Sequence, residues 1–215
     1  MGLQDLPCVY HGFISNRALT ALYERTGSYF PGPSPDMANA VGLCAVLGTL
    51  RRTPEVLVIT GHSGRSTAGA GTQRKHHGPV AGQSHLPQDT VKTWFADIPF
   101  FWSGPTIYAQ SLRSALSRTG NTNLGPAGKS CVYASCFVYH REYADATFNA
   151  MRVSGQSKLT LYPQVLYYSL EIMAQRARNL LSKLSGRIGK HNNSAVRASS
   201  ISEAIRAVRT LRNIT

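Results

Sequence analysis

A basic, glycine-rich stretch that begins at Gly61 carries a dense set of side chains that could bind a charged partner. Its cationic and imidazole side chains include those of Arg65, Arg74, Lys75, His76 and His77. Six glycines occur from Gly61 to Gly82, and no acidic residue follows until Asp89. Arginine and lysine bind phosphate oxygens, and glycine lets a backbone approach another surface closely. The stretch therefore has the composition of a segment that binds nucleic acid.

Nucleophilic chemistry by a cysteine would need a thiol and a base, and the sequence offers Cys136 and His62 for these roles. His62 follows the β-rich run 56–60, and Cys136 lies late in the apolar run 130–139, which predicts a buried strand. Active sites of parallel sheets lie beyond the carboxyl ends of the strands, where an imidazole would take the thiol proton and activate the thiolate. The Gly-His-Ser-Gly and Ala-Ser-Cys segments are similar to the His and Cys placements of caspase-like cysteine peptidases. Phe137-Val-Tyr continues the predicted strand, which argues against an exposed nucleophile.

The charge balance of the whole chain favours a polyanionic partner. The 215 residues contain 23 Lys and Arg against 10 Asp and Glu, which gives a net charge of +13. Seventeen of these 23 are Arg, because six are Lys. Such an excess suits RNA better than a small acidic substrate. The length allows one domain with a real core, and no apolar run reaches the roughly 18 residues of a membrane span, so we expect no membrane partner.

The cysteines predict neither a disulfide framework nor a metal site. Cys8, Cys44, Cys131 and Cys136 are few and scattered, and there is no Cys-x-x-Cys pair of the kind that binds zinc. We therefore expect a reducing compartment, no metal and no cofactor.

The remaining elements must hold the basic stretch in place, and the pattern predicts strands that alternate with helices. Strands are predicted at 7–14, 56–60, 130–139 and 159–162. Helices are predicted at 15–25, 34–52, 106–118, 142–153, 163–184 and from 200 onward. Caps and breakers delimit several of them, among them Ser15, Gly27, Pro35 and Pro105. Aromatic residues at 94–102 are predicted to anchor the base of the loop to the core.

Strand–helix alternation favours a parallel sheet covered by helices, so the predicted fold class is α/β. We expect a parallel-sheet α/β/α body with a long Gly-rich basic extended loop. Residues 1–60 would form the N-terminal part of the body, 61–104 the extended basic RNA-binding loop, and 105–215 the remainder of the body with basic C-terminal helices. The helix at 163–184 carries one apolar stripe with helical spacing. Its members are Leu166, Leu170, Met173, Ala177, Leu180 and Leu184.

Three segments, in order, resemble the universal large-subunit ribosomal protein family that is called L-four in the bacterial nomenclature. The run Gly71-Thr-Gln-Arg-Lys-His-His-Gly78 is similar to the core of that family's basic loop. Gly104-Pro105 stands where the family has a Gly-Pro, and Leu112-Arg-Ser-Ala-Leu-Ser117 is similar to a segment of the helix that follows. The segment Ala177-Arg-Asn-Leu180 matches a further segment in the family's C-terminal region.

The resemblance implies a structural constituent of the large ribosomal subunit that is not an enzyme. Its α/β body would bind rRNA, and its loop would thread into rRNA toward the peptide exit tunnel. The basic residues would contact phosphates, the histidines would stack or hydrogen-bond, and the glycines would permit close approach. The residues expected to bind RNA are Arg65, Gly71, Thr72, Arg74, Lys75, His76, His77, Gly78 and Arg113. The implied partners are large-subunit rRNA, neighbouring ribosomal proteins and the nascent peptide near the loop tip.

Divergence from the bacterial pattern and the low acidic content favour an organellar ribosome. We expect the mitochondrial ribosome of the matrix, with a cytoplasmic location as the alternative. A peptidase that uses His62 and Cys136 remains the alternative function. A helical viral coat or nucleocapsid protein is a third option, which would explain the charge but not the loop segments.

Overall fold

The computed structural model describes residues 6–10, 12–51, 77–120 and 125–184, together with residues 200, 202–203 and 205–206. The chain divides into two compact units, Met1–Ser169 and Leu170–Thr215. The first unit holds most of the described residues.

Two helices open the first unit, and local sequence signals set their ends. Helix α1 (Asn16–Thr26) starts after Ser15, whose hydroxyl accepts a hydrogen bond from the backbone N–H of Ala18, and it ends at Gly27 with φ 72°. Helix α2 (Pro35–Val46) starts at the predicted proline but ends earlier than predicted. The helices pack against each other through a small core of Ala18, Leu22 and Leu43.

A short antiparallel ladder and a tight run of turns precede the third helix. Strand β1 (His77–Gly78) pairs with β2 (Trp102–Ser103), and residues 79–101 between them form turns. Strand β2 leads directly into α3 (Gly104–Arg118), where Ser103 and Thr106 form a capping box. Val80, Trp102 and Ile107 are buried together, with Leu86 and Trp94 packed against them.

The rest of the first unit is helical. Helix α4 (Pro126–Tyr139) is followed by a 3₁₀ turn at Arg141–Tyr143 and by α5 (Ala144–Ser154). A second 3₁₀ turn at Lys158–Leu161 leads into α6 (Tyr162–Leu184). A core cluster joins α4, α5 and the second 3₁₀ turn, and its buried members are Tyr133, Ala150, Met151 and Leu161.

The predicted α/β fold with a parallel-sheet α/β/α body is wrong. Within the described ranges the one sheet has two strands, which are antiparallel. The predicted strand at 130–139 lies in helix α4, the one at 159–162 lies in a 3₁₀ turn and the start of α6, and the described residues of 7–14 form neither helix nor strand. The run 56–60 lies outside the described residues. A short apolar run does not distinguish a strand from a helix that is buried on several sides, and α4 is such a helix, with Tyr133, Ala134, Ser135 and Cys136 all buried in succession.

The long helix α6 confirms the prediction for 163–184, but its apolar stripe is exposed. The side chains of Leu166, Leu170, Met173 and Leu180 are all at least half exposed. Residues up to Ser169 belong to the first unit and those from Leu170 to the second. In the second unit the hydroxyl of Ser200 accepts a hydrogen bond from the N–H of Glu203, which is the bond that an N-terminal helix cap makes. No helix of the described chain has the length and apolar character that crossing a membrane requires.

Candidate functional site

The structure places three of the nine predicted RNA-binding residues: His77, Gly78 and Arg113. The other six lie outside the described residues, and so does His62 of the predicted peptidase pair. These six are Arg65, Gly71, Thr72, Arg74, Lys75 and His76.

The ladder at His77 and Gly78 joins the end of the basic stretch to the beginning of α3. His77 pairs with Ser103 and Gly78 with Trp102. Two of the aromatic residues predicted as anchors pack at this ladder, since Phe101 is fully buried and Trp102 is 7% exposed, whereas Phe100 is 52% exposed. His77 itself is exposed, while Gly78 is buried. The basic stretch therefore ends at a point that is fixed to a packed core.

Arg113 lies in a compact charge cluster on the first unit. Its guanidinium pairs with the carboxylate of Asp97, which also pairs with the ammonium of Lys129 at 2.9 Å. The guanidinium additionally lies over the ring of Phe95, 4.5 Å from its centroid. Burial acts to raise the pKa of Asp97, but its hydrogen bonds to Arg113 and Lys129 and their charges outweigh burial and hold that pKa below its usual value. The cluster connects the turn segment to α3 and α4.

A second cluster brings His77 together with two residues that lie more than sixty positions further along the chain. The Nε2 atom of His77 lies 3.5 Å from the Oε1 atom of Glu142. The Nδ1 atom of His140, at the C-terminal end of α4, lies 3.9 Å from the same oxygen. His140 has 14% of its side chain exposed, whereas His77 and Glu142 have 36% and 50%. We call these three residues the His–His–Glu cluster.

Aromatic rings hold the two imidazoles in place. The rings of Phe101 and Tyr143 stack at 4.2 Å with an interplanar angle of 5°. His140 meets Phe101 edge-on at 5.6 Å, and His77 meets Tyr143 edge-on at 6.2 Å. Burial lowers the pKa of His140, the neighbouring His77 acts in the same direction, and Glu142 opposes them. This environment favours the neutral imidazole of His140.

Cys136 lies inside helix α4 and does not occupy the end of a strand. Its side chain is fully buried, and burial raises the pKa of its thiol to about 12 despite hydrogen bonds from Ser135 and Thr147. A nucleophilic cysteine needs an accessible thiolate. The described surroundings of Cys136 therefore suit a packed core residue.

Basic side chains outnumber acidic ones on the described surface. Eleven Lys and Arg residues are exposed there, against six Asp and Glu residues. The exposed basic residues are Arg17, Arg25, Arg51, Lys92, Arg118, Arg141, Arg152, Lys158, Arg176, Arg178 and Arg206. This imbalance leaves the described surface positively charged.

Sequence reasoning missed His140 and Glu142. The one local signal was a His-x-Glu spacing, which is too short and too common to predict a site.

Comparison of this chain with known protein families, with curated proteins and with solved structures finds no match. Functional conclusions therefore rest on the residues of the chain itself.

Proposed function

We propose that this protein binds RNA and acts as a structural component of a ribonucleoprotein, without catalysis. The observation that carries the proposal is the excess of positive charge among the exposed described residues, which include eleven basic side chains and six acidic ones. Lys and Arg displace the counterions that surround phosphates, and this release drives binding to nucleic acid whatever its sequence. A protein with this charge excess gains affinity for RNA from many contacts at once.

The position of the basic stretch supports this proposal. The stretch contains no acidic residue from Gly61 to Gln88, and it runs into the β1–β2 ladder beside the buried Phe101 and Trp102. A rigid base lets basic side chains reach a partner without moving the core. The principal contacts would be made by Arg65, Arg74 and Lys75. Arg113 would contribute less, because Asp97 already compensates its charge.

The narrower form of the proposal is a constituent of the large ribosomal subunit, in the mitochondrial matrix or else the cytoplasm. It is supported by the loop segment 71–78, by Gly104-Pro105 and by the α3 segment 112–117. In this form the partners would be large-subunit rRNA, neighbouring ribosomal proteins and the nascent peptide near the loop tip. The helical body differs from the α/β body of the L-four family, so the ribosomal form rests on these segments alone.

A viral coat or nucleocapsid protein is the second candidate, and the helical body favours it. Described residues of the first unit are mostly in helices, as a helical coat or nucleocapsid protein requires. Both forms share RNA binding and differ in the RNA that is bound. The peptidase receives no such support, because the Cys136 thiol is buried and its pKa is raised to about 12.

The test is a titration of fluorescent RNA with the full-length protein at several salt concentrations. Each phosphate that Lys or Arg neutralises adds roughly 0.7–0.9 to the slope of log affinity against log salt. The double variant Arg74→Ala with Lys75→Ala is expected to lower that slope by about one to two units. The matched control, Arg206→Ala with Arg209→Ala, removes two charges from the C-terminal region and is expected to do less.

The titration distinguishes the two forms and can also reject both. Preference for a large-subunit rRNA fragment over an unrelated RNA of equal length supports the ribosomal form, and equal affinity for both supports a nucleocapsid. A wild-type affinity that does not change with salt, or no RNA binding at all, would overturn the proposal. A larger loss in the C-terminal pair than in the loop pair would move the binding surface away from the loop.

A further inference from the structure

We propose that the His–His–Glu cluster is a binding site for one divalent transition-metal ion, and its ligand set points to Zn²⁺. Each of the three side chains offers one ligand atom, and these atoms all lie within 4.8 Å of one another. Zinc bonds of about 2.0–2.2 Å to nitrogen and oxygen place two ligands of a tetrahedral ion about 3.3–3.6 Å apart. The distances of 3.5 Å and 3.9 Å from Glu142 to the two histidines are already close to that value. Small side-chain movements would complete the coordination.

The Nδ1 atom of His140 gives an independent reason to expect a ligand. The atom is buried and, in the part of the chain that the structure describes, has no hydrogen-bond partner. Its distance of 3.9 Å from the Glu142 carboxylate is too long for a hydrogen bond. A buried polar atom without a partner destabilises a fold, and most such atoms are therefore satisfied. A metal ion between Nδ1 and the carboxylate would satisfy both groups.

The surroundings of the cluster fix the ligands on one side and leave the other side open. Phe101 is fully buried and, with Tyr143, packs against the edges of both imidazoles. Such packing restricts ring rotation and orients the nitrogen atoms. His77 and Glu142 are partly exposed, so a fourth ligand such as water can reach the ion from solvent.

The mixed ligand set decides the class of metal. Two imidazoles and one carboxylate suit Zn²⁺ and the neighbouring divalent ions, whereas Ca²⁺ and Mg²⁺ prefer sites made of oxygen atoms alone. The ligands come from β1, from the end of α4 and from the adjoining 3₁₀ turn. A bound ion would therefore link β1, which holds the end of the basic stretch, to the C-terminal end of α4. This inference is independent of RNA binding, because the ion is measured without RNA.

The test uses the full-length protein, stripped with a chelator and titrated with Zn²⁺ by calorimetry. We expect one equivalent to bind, and we expect Co²⁺ to give the intense visible absorption of a four-coordinate site. His77→Ala and Glu142→Gln change partly exposed side chains, and each is expected to weaken Zn²⁺ binding at least about ten-fold. His85→Ala is the matched control, because this exposed histidine lies in the turns that follow β1, against Trp102, and outside the cluster.

Folding is followed by circular dichroism, and thermal melting gives a second readout. Zn²⁺ is expected to raise the melting temperature of the wild type and of His85→Ala, but not that of His77→Ala. The proposal is overturned if the wild type binds no Zn²⁺ at about 100 µM. It is also overturned if folded His77→Ala and Glu142→Gln bind Zn²⁺ as tightly as the wild type, since the ion would then occupy other groups.

Discussion

Removal of the Asp97 carboxylate is expected to lower the unfolding free energy of the first unit more than removal of any exposed charged group does. Asp97 is 8% exposed and pairs with both Arg113 and Lys129, whose side chains are 20% and 18% exposed. In Asp97→Asn the two cations would remain close together without their counter-charge. Removing one member of a buried ion pair typically costs about 3–5 kcal/mol, and the partial exposure of both cations reduces this to about 2–3 kcal/mol. The stacking of Arg113 on Phe95 does not itself involve Asp97.

The assay is urea unfolding at pH 7, followed by tryptophan fluorescence. Trp94 reports on this region, because its Nε1–H donates a hydrogen bond to the backbone carbonyl of Ile98, next to Asp97. Asp89→Asn is the control, since Asp89 is exposed in the same turn segment and its loss is expected to cost less than about 0.5 kcal/mol. Equal unfolding free energies for the two variants would refute the argument that this carboxylate stabilises the fold.

The pH dependence of the same comparison follows from the pKa of Asp97. Its pKa is lower in the folded state than in the unfolded chain, so the stabilisation is fully present above the unfolded value of about 4. It is lost as the pH falls through the folded pKa, because the carboxylate is then protonated in both states. The stability gap between wild type and Asp97→Asn should therefore be constant near neutral pH and should shrink below about pH 4. A gap that grows on acidification would contradict the lowered pKa.

Two further predictions concern packing and thiol reactivity. Gly32→Ala should cost about 1–3 kcal/mol in unfolding free energy, because the new Cβ would lie 2.9 Å from the backbone Cα of Ser111. Gly48→Ala is the control: its Cβ would meet open space, and its unfolding free energy should stay within about 0.5 kcal/mol of the wild type. Unfolding of both variants in urea checks this, and equal losses would contradict the close approach. Iodoacetamide at pH 8 should label exposed Cys131 well before Cys136, whose thiolate fraction is on the order of 10⁻⁴ when its pKa is about 12. Mass spectrometry locates the label, and rapid modification of Cys136 in the folded protein would restore the peptidase alternative.

Several helix ends were predictable because local chemistry sets them, although α2 ends at Val46 and not near residue 52 as predicted. Ser15 supplies the oxygen that caps α1, and Gly27 adopts the left-handed backbone that ends it. Pro35 begins α2, and Pro105 lies in the first turn of α3, in the same local way. These signals act over three or four residues, so a short window of the sequence contains all the residues that make them. The overall positive charge is likewise a property of composition.

The fold class was not predictable in this way, because it depends on what surrounds each apolar run. The run 130–139 has the residue types of a strand, yet it forms α4 and buries Tyr133 against Ala150, Met151 and Leu161. The Tyr133 hydroxyl also donates a hydrogen bond to the backbone carbonyl of Asp97. Partners from distant segments override weak local preference, and one sequence window contains none of them. The exposed stripe of α6 shows the converse, since helical spacing predicts the helix but not whether anything covers it.

The sequence by itself therefore determined the basic character of this protein, the stretch that concentrates its charge, and the helices whose caps and breakers lie within a few residues. The tertiary structure alone decided that the body is helical, that Arg113 faces Asp97, and that His77 meets His140 and Glu142. The physical reason is range: capping and charge content are local or additive, whereas a buried pair or a ligand set exists only when distant residues are brought together by packing.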